Sequence, residues 1–551
     1  MVDGRLHRRC GRGQHGTCSA TALSLARRRR QLICRRPPLL PKGHPVNRHH
    51  TRTAAAAAIC LVLVGCSTTS TTSKPDIEVQ QPQSMPDLNW SACPVGVGGP
   101  AEAPSRLQCA SVPVPVDYDD PDGEQIDLEI SRLPSQKPEE RRGVLLLNPG
   151  GPGGAGLDQP TFLVNQGMPQ SVLDSYDLIG MDTRGVGHSS PISCGFTDDL
   201  HYYGAVPPYA YDQAAFDEQV RTAREVARRC AEEDDGLLRH VSTANMARDL
   251  DRVRAALGED TASFLGYSYG SALGAAYASM FPESTDRIVL DSNIGDTHLD
   301  RAGMRRYSRG MEDTFPDLAR WIAEHHDRYG LGATEDEVRA TYFDIASGLD
   351  ATPVNGVDGR SFRLATFVTL YNPATYETAA DAWVSYRDGL AAGQGGDLPQ
   401  AAPVPSAGDN SWSVFLAVTC NDVEWPHDVT TYENAVAADR VDYPLFGAAA
   451  ANIMPCAFWA HAPAEPPVAI GTDGPTNILI AQHRRDPVTP LRGGELLDER
   501  FGDRSRLLTV DGSGHGVFAL GTNPCAQEVV AEYLVDGALP EKGAQCPRAT
   551  Q

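Results

Sequence analysis

Residues 264–274 read FLGYSYGSALG, and this stretch restricts the fold more than any other in the chain. A short apolar run leads into Ser268, and an alanine-rich, helix-forming run leads away from it. Gly266 and Gly270 let the backbone turn sharply from strand to helix. Small residues at such a crossing have two physical explanations. They allow a helix to sit close to a sheet, or they expose the Ser268 hydroxyl as a nucleophile at a helix N-terminus, where the peptide dipoles favour developing negative charge.

The rest of the chain has to choose between them, and its rhythm is the first guide. Short apolar runs end in glycine-rich or polar turns: GVLLLNPGG (143–151), YDLIGMDTRGVGHSS (176–190), SFLGYS (263–268), RIVLDS (287–292), NILIAQ (477–482) and RLLTV (506–510). Helical patterns separate them. In STANMARDLDRVRAALG (242–258), Met246, Leu250, Val253 and Leu257 share one face, with Thr243 as N-cap and Gly258 as the stop. AQEVVAEYLV (526–535) reads as a closing helix. Such alternation predicts an α/β fold, a mostly parallel sheet with helices on both faces, whose sites lie beyond the carboxyl ends of the strands. From about 297 to 440 the strand rhythm fails, and GMRRYSRGMEDTFPDLARWIAEHH and TYETAADAWVSYRDGLAAG read as helices. Because strands resume at Asn477, this segment is expected to be an inserted helical cap, with core segments at 86–296 and 441–546, rather than an independent domain.

A serine nucleophile needs a base, and the base needs an orienting acid. In α/β-hydrolases they follow in the order Ser, Asp/Glu, His. Asp486, in HRRDPVTP, comes just after one predicted strand, and His515, in DGSGHGVF, just after the next. His483 beside Arg484, and His461 with no strand before it, are weaker bases; Asp511 is expected to shape a turn. The oxyanion of an acyl-transfer intermediate needs two backbone N–H donors. Tyr269 should supply one, and Gly150 or Gly151, in NPGGPGG (148–154), the other. No G-K-[ST] follows that glycine turn, which argues against a phosphate loop. Thr489 either positions Asp486 or caps a helix. This chemistry calls for no metal or organic cofactor, and the cysteines include no C-x-x-C pair of the kind zinc sites use.

Of the 48 lysines and arginines and 71 acids, residues 1–65 hold 13 bases and one acid, which leaves 35 bases against 70 acids beyond them. So acidic a body excludes general nucleic-acid binding. The basic start, including Arg27–Arg30, precedes an apolar stretch from Ala54 to Val64, too short for the ~20 residues of a membrane span. It reads as a signal-peptide core, and LVGC (63–66) resembles a bacterial lipobox, so Cys66 is expected to carry lipid. A plain secretory signal is the alternative. Residues 1–45 precede a complete signal, which makes Val46 a plausible true start. Residues 67–85 read as a polar tether. The expected location is the outer face of the cytoplasmic membrane, or otherwise the medium. Eight cysteines follow Cys66, an even number that suits disulfides in an exported chain. Nearest-neighbour pairing is expected: Cys93–Cys109, Cys194–Cys230, Cys420–Cys456 and Cys525–Cys546.

NPGGPGGAG, DLIGMDTRGVGHSSPISC, TANMARDLDRVRAALG, FLGYSYGSALGAAYASMFP, DPVTP, GSGHGVF and YLVDGALPEKGAQC recur in one order through residues 86–546. In these motifs the chain resembles the secreted tripeptidyl aminopeptidases of actinobacteria, α/β-hydrolase serine peptidases related to prolyl aminopeptidases. It departs from them at Ser271, where the family usually has Thr. The resemblance implies release of short peptides, tripeptides above all, from the free N-termini of peptides or proteins. An aminopeptidase must hold an ammonium, so buried carboxylates are expected near the cleft. Asp422 and Glu424, in TCNDVEW (419–425), are the candidates, with a solvated acidic loop as the alternative. An esterase or lipase on the same triad, or a non-catalytic binding lipoprotein, are the rival functions. The cap has no long apolar run suited to an acyl chain.

Overall fold

In the computed structural model, which describes residues 88–98, 106–200, 202, 204–398 and 404–549, the six apolar runs are strands of one ten-stranded sheet. Cys66, the expected signal and tether, and Val46 lie outside the described residues. The strands are β1 (Ser91–Ala92), β2 (Gln108–Pro115), β3 (Gln125–Leu133), β4 (Gly143–Asn148), β5 (Tyr176–Met181), β6 (Ala262–Tyr267), β7 (Thr285–Asp291), β8 (Ile478–Arg485), β9 (Ser505–Ser513) and β10 (Gln545–Cys546). Their order is β1-β2-β3-β5-β4-β6-β7-β8-β9-β10. All neighbours from β5 to β10 are parallel. The first three strands form an antiparallel meander that joins β5 through β3.

Alternation along the central strands builds two cores. Val144, Leu146, Phe264, Ile288, Leu290 and Ile480 face one side, packed with helices Gln213–Glu232, Thr243–Ala256, Tyr269–Met280 and Leu491–Phe501. Leu145, Leu147, Leu265, Val289 and Leu479 face the other, against Gln159–Asn165, Gln170–Ser175 and Pro524–Asp536. Strands buried on both faces read as continuous apolar runs. Helix Thr243–Ala256 starts one residue earlier than expected from Thr243 as N-cap. Its N-cap is Ser242, whose hydroxyl accepts the Asn245 N–H, because the Thr243 hydroxyl is committed to Asp422.

Residues 292–477, between β7 and β8, carry helices Arg301–Glu324, Glu335–Ala351, Gly359–Thr369, Tyr376–Ala391, Asp409–Asp422 and Val429–Asp442. TCNDVEW is not a loop: its first four residues close helix Asp409–Asp422, whose VFLAV run is buried. Four disulfides join Cys93 to Cys109, Cys194 to Cys230, Cys420 to Cys456 and Cys525 to Cys546. No helix among the described residues is long and apolar enough to cross a membrane.

Parallel pairing sets the strand ends level. Asn148 lies opposite Gly266, Tyr267 opposite Asp291, and Asp291 opposite Ala481. The turn after β5 is held by Arg184, which is fully buried. Its Nε and Nη2 each donate to Asp249 at 2.7 Å, and its remaining N–H groups donate to the carbonyls of Pro115, Val116 and His240. Asp249→Ala would leave that guanidinium buried without a counter-charge. It should lower the unfolding free energy by about 3–5 kcal/mol, as measured by urea denaturation; a loss near zero would show the pair to be dispensable.

Candidate active site

Ser268 stands between β6 and helix Tyr269–Met280 with φ 58° and ψ −120°, a backbone region that non-glycine residues rarely occupy. Its neighbours hold it there. The Ser268 N–H donates to the Asp291 carbonyl on β7 at 3.0 Å. Its carbonyl accepts the Ser271 N–H (2.9 Å) and the Ser271 hydroxyl (2.6 Å), and Ser271 Oγ in turn accepts the Ile294 N–H. The serine at position 271 therefore performs the anchoring that a hydroxyl is needed for. A Cβ at Gly266 would collide with the Gly270 carbonyl, so helix and strand touch through bare backbone. The small residues pack helix against strand, and Ser268 is left partly exposed at the turn.

The glycine turn after β4 lies against this elbow. A Cβ on Gly150 would collide with the Tyr267 carbonyl and lie 3.0 Å from Ser268 Cβ and 3.3 Å from Tyr269 N. The Gly150 N–H is already donated to Asn148 Oδ1 at 3.0 Å. The Gly151 N–H has no acceptor among the described residues, and the Tyr269 N–H, first in its helix, has none within that helix. Of the two candidate glycines, Gly151 keeps its donor free.

Asp486 and His515 meet beyond the ends of β8 and β9. His515 Nδ1 lies 2.9 Å from Asp486 Oδ2 and 3.1 Å from Oδ1. Asp486 also accepts the N–H groups of Val488 (2.9 Å) and Thr489 (2.8 Å) and the Thr489 hydroxyl (2.8 Å). Thr489 thus positions Asp486; the next helix begins at Leu491, capped by Pro490. Burial opposes ionisation of Asp486, but the imidazole beside it and the Thr489 bonds outweigh burial and hold the carboxyl below its ordinary range. Burial likewise opposes the His515 imidazolium. The charges of Asp486 and Asp291, with the Asp486 hydrogen bond, outweigh it and raise the His515 pKa above the ordinary histidine value. Ser268 and His515 make no direct hydrogen bond in this structure; such bonds commonly tighten only when substrate arrives.

The rival bases are engaged elsewhere. His483 is buried with Nδ1 on the Gly514 carbonyl, His461 pairs with Asp234, and Asp511 pairs with Arg485. The helical segment between β7 and β8 reaches the site through Tyr371. Its carbonyl accepts the His515 N–H at 2.8 Å, and its ring lies edge-on to the imidazole with centroids 5.1 Å apart. Tyr371, Asn148 and Asp291 gave no signal in the sequence beyond a cap residue and two strand ends.

The acids expected to read an amine face different surroundings. Glu424 is exposed, with no hydrogen-bond or ion-pair partner among the described residues. Asp422 is buried, and both its oxygens are occupied: Oδ1 accepts the Thr243 N–H (2.8 Å) and Oδ2 the Thr243 hydroxyl (2.6 Å). Burial pushes its pKa up to about 7 against those bonds. The Thr243 hydroxyl also meets the Tyr269 hydroxyl at 2.7 Å, so Asp422 buttresses the residue after Ser268. Asp422 also lines a cleft with Asn245, Asn421 and Glu465.

Residues 443–546 match the family model of a TAP-like protein. The chain is 34% identical to a tripeptidyl aminopeptidase of Streptomyces lividans over 84% of this chain and 87% of that protein. It is 30% identical to the serine protease Hip1 of Mycobacterium tuberculosis over 90% of this chain and 96% of that protein. It is also 30% identical to a carboxylesterase B of Mycobacterium tuberculosis, over 84% and 91% respectively.

Two outcomes follow from this geometry. If His515 acts as a base it must be neutral, so kcat/KM should fall as pH drops through its raised pKa. The acid limb of a pH–rate profile should have its midpoint above the ~6.5 of an unperturbed histidine; a midpoint below that value would contradict the His515–Asp486 pairing. Asp422→Ala strands the Thr243 donors, which should cost about 1–3 kcal/mol of stability. Its kcat/KM should fall equally on free-amine peptides and on aryl esters, whereas a loss confined to free-amine peptides would return Asp422 to amine recognition.

Proposed function

The chain belongs to the tripeptidyl aminopeptidase family of α/β-hydrolases, and on that footing we propose that it is a serine exopeptidase that releases short peptides, tripeptides above all, from free N-termini. The observation that carries the chemistry is the 2.9 Å contact between His515 Nδ1 and Asp486, beyond the same carboxyl ends of the strands as the strained, partly exposed Ser268. In this reading Ser268 Oγ attacks the scissile carbonyl while His515 Nε2 takes its proton. Asp486 fixes the imidazole tautomer and offsets the imidazolium charge. The oxyanion is held by the N–H groups of Tyr269 and Gly151. His515 returns the proton to the leaving amine, and water then releases the peptide from the acyl-enzyme by the same steps in reverse.

The names of the relatives support the substrate class, since two of those compared are a tripeptidyl aminopeptidase and a serine protease. In our reading the helices at 297–440 form a cap over core segments 86–296 and 441–546, and the cap limits access to chain ends. The N-terminal segment directs export, with a lipid on Cys66 holding the enzyme at the outer face of the cytoplasmic membrane. A carboxylesterase is the second reading, favoured by the esterase name of one relative.

Ser268→Ala should lower hydrolysis by at least ~10³-fold and abolish labelling by a fluorophosphonate while leaving the fold intact. Wild-type enzyme should cleave peptides with a free amine and spare their N-acetylated forms, with released fragments identified by mass spectrometry. Labelling of Ser268 with rapid turnover of aryl esters but no peptide would establish the esterase instead.

A further inference from the structure

Asp291 ends β7, and its side chain is fully buried. Oδ1 accepts the Val517 N–H and the Ser292 hydroxyl, both at 2.9 Å, and Oδ2 accepts the Phe518 N–H at 2.7 Å. Its backbone carbonyl accepts the N–H of Ser268. One residue therefore grips the backbone of the nucleophile and the two N–H groups that lie two and three residues beyond His515. Ser292 extends the grip: its hydroxyl accepts the Gly516 N–H at 2.9 Å, and its own N–H donates to Ala481 on β8. From β6, the Tyr267 hydroxyl donates to the Phe518 carbonyl at 2.8 Å.

A buried carboxylate ordinarily needs a cation, and none of the lysines or arginines among the described residues pairs with Asp291. The titratable groups that bear on it are His515, from the loop after β9, and Tyr267 on β6; Asp486, after β8, faces His515 from its other partner side. The chain thus keeps a second buried acid beside the imidazole, without an arginine to neutralise it.

We propose that Asp291 is a positioning residue for the reaction, locking His515 and Ser268 into one frame and adding a second negative charge that favours the imidazolium. When the proton passes from Ser268 Oγ to His515, the positive charge forms in contact with Asp486 and within the field of Asp291, and neither carboxylate takes the proton. Both Asp291 oxygens face donors and neither faces an acceptor, which favours the ionised form, while burial pushes its pKa up to about 6 against those bonds. An ionised carboxylate can accept two backbone N–H groups and a hydroxyl; asparagine offers one acceptor and turns an NH₂ toward the second N–H.

This inference rests on the triad reading above, and fluorophosphonate labelling of Ser268 in the wild type tests that reading separately. The experiment compares Asp291→Asn and Ser292→Ala, each checked for a cooperative thermal transition, on an aryl ester. Asp291→Asn should lower kcat by about 10²-fold, the scale of a misaligned catalytic group, with KM little changed. The acid limb of its kcat/KM profile should move to lower pH, because a negative charge beside His515 is gone. Ser292→Ala should lower kcat less and leave the acid limb in place. A folded Asp291→Asn enzyme with wild-type kcat, or with reduced kcat and an unmoved acid limb, overturns the proposal. If Asp291→Asn does not fold, Ser292→Ala decides: unchanged kcat overturns the shared frame, and reduced kcat at unchanged KM supports it.

Discussion

The backbone of Ser268 is the constraint on which the rest of the site depends. A serine at φ 58°, ψ −120° is strained by about 1–3 kcal/mol and persists only where its surroundings over-determine it. Here they do so from three directions. Ser271 binds the Ser268 carbonyl from inside the helix, Asp291 binds the Ser268 N–H from the next strand, and Gly266 lets helix and strand meet. Together they hold the Ser268 hydroxyl and the N–H groups beside it at the strand ends. The parallel register, with Tyr267 opposite Asp291 and Asp291 opposite Ala481, then brings the loops after β8 and β9 to the same level.

Buried acids divide according to what neutralises them. Asp249 faces a guanidinium whose every N–H has an acceptor, an arrangement that fixes a turn and a helix and has no charge left to offer. Asp422 is satisfied by the N–H and hydroxyl of one threonine while burial pushes its pKa up to about 7, which suits a buttress under Tyr269. Asp486 stands apart, because its compensating charge is an imidazole that can gain and lose a proton. The difference in partner, rather than the depth of burial, separates structural acids from one able to serve a reaction.

Much of this was legible in the chain before folding. Asp486 and His515 each follow an apolar run, and runs buried on both faces announce themselves. The meander of β2 and β3 did not, because residues there alternate between buried and exposed and β2 contains Pro113 and Pro115, which weaken any strand reading. Gly151 could not be told from Gly150, since the distinction depends on the side-chain oxygen of Asn148. Asp422 was visible as an acid, but its partner Thr243 lies 179 residues away. Asp291 looked like any strand end, and its bonds to Val517 and Phe518 exist only once β7 and β9 flank β8.

The helices between β7 and β8 are joined to the chemistry as well as to the sheet. Helix Arg301–Glu324 presses Gly310 against the Pro487 carbonyl, one residue past Asp486, and places Asp317 on Arg485 at 2.6 Å. Tyr371 holds the His515 N–H and lays its ring against the imidazole. A side chain larger than hydrogen at Gly514 would also run into the Tyr371 carbonyl at 2.8 Å, so the loop carrying His515 is moulded to the segment that carries Tyr371. Displacing that segment would withdraw a hydrogen bond and an aromatic wall from His515. The helical segment between β7 and β8 and the loop that carries His515 therefore share contacts, and a change made to the former is transmitted to the latter through Tyr371.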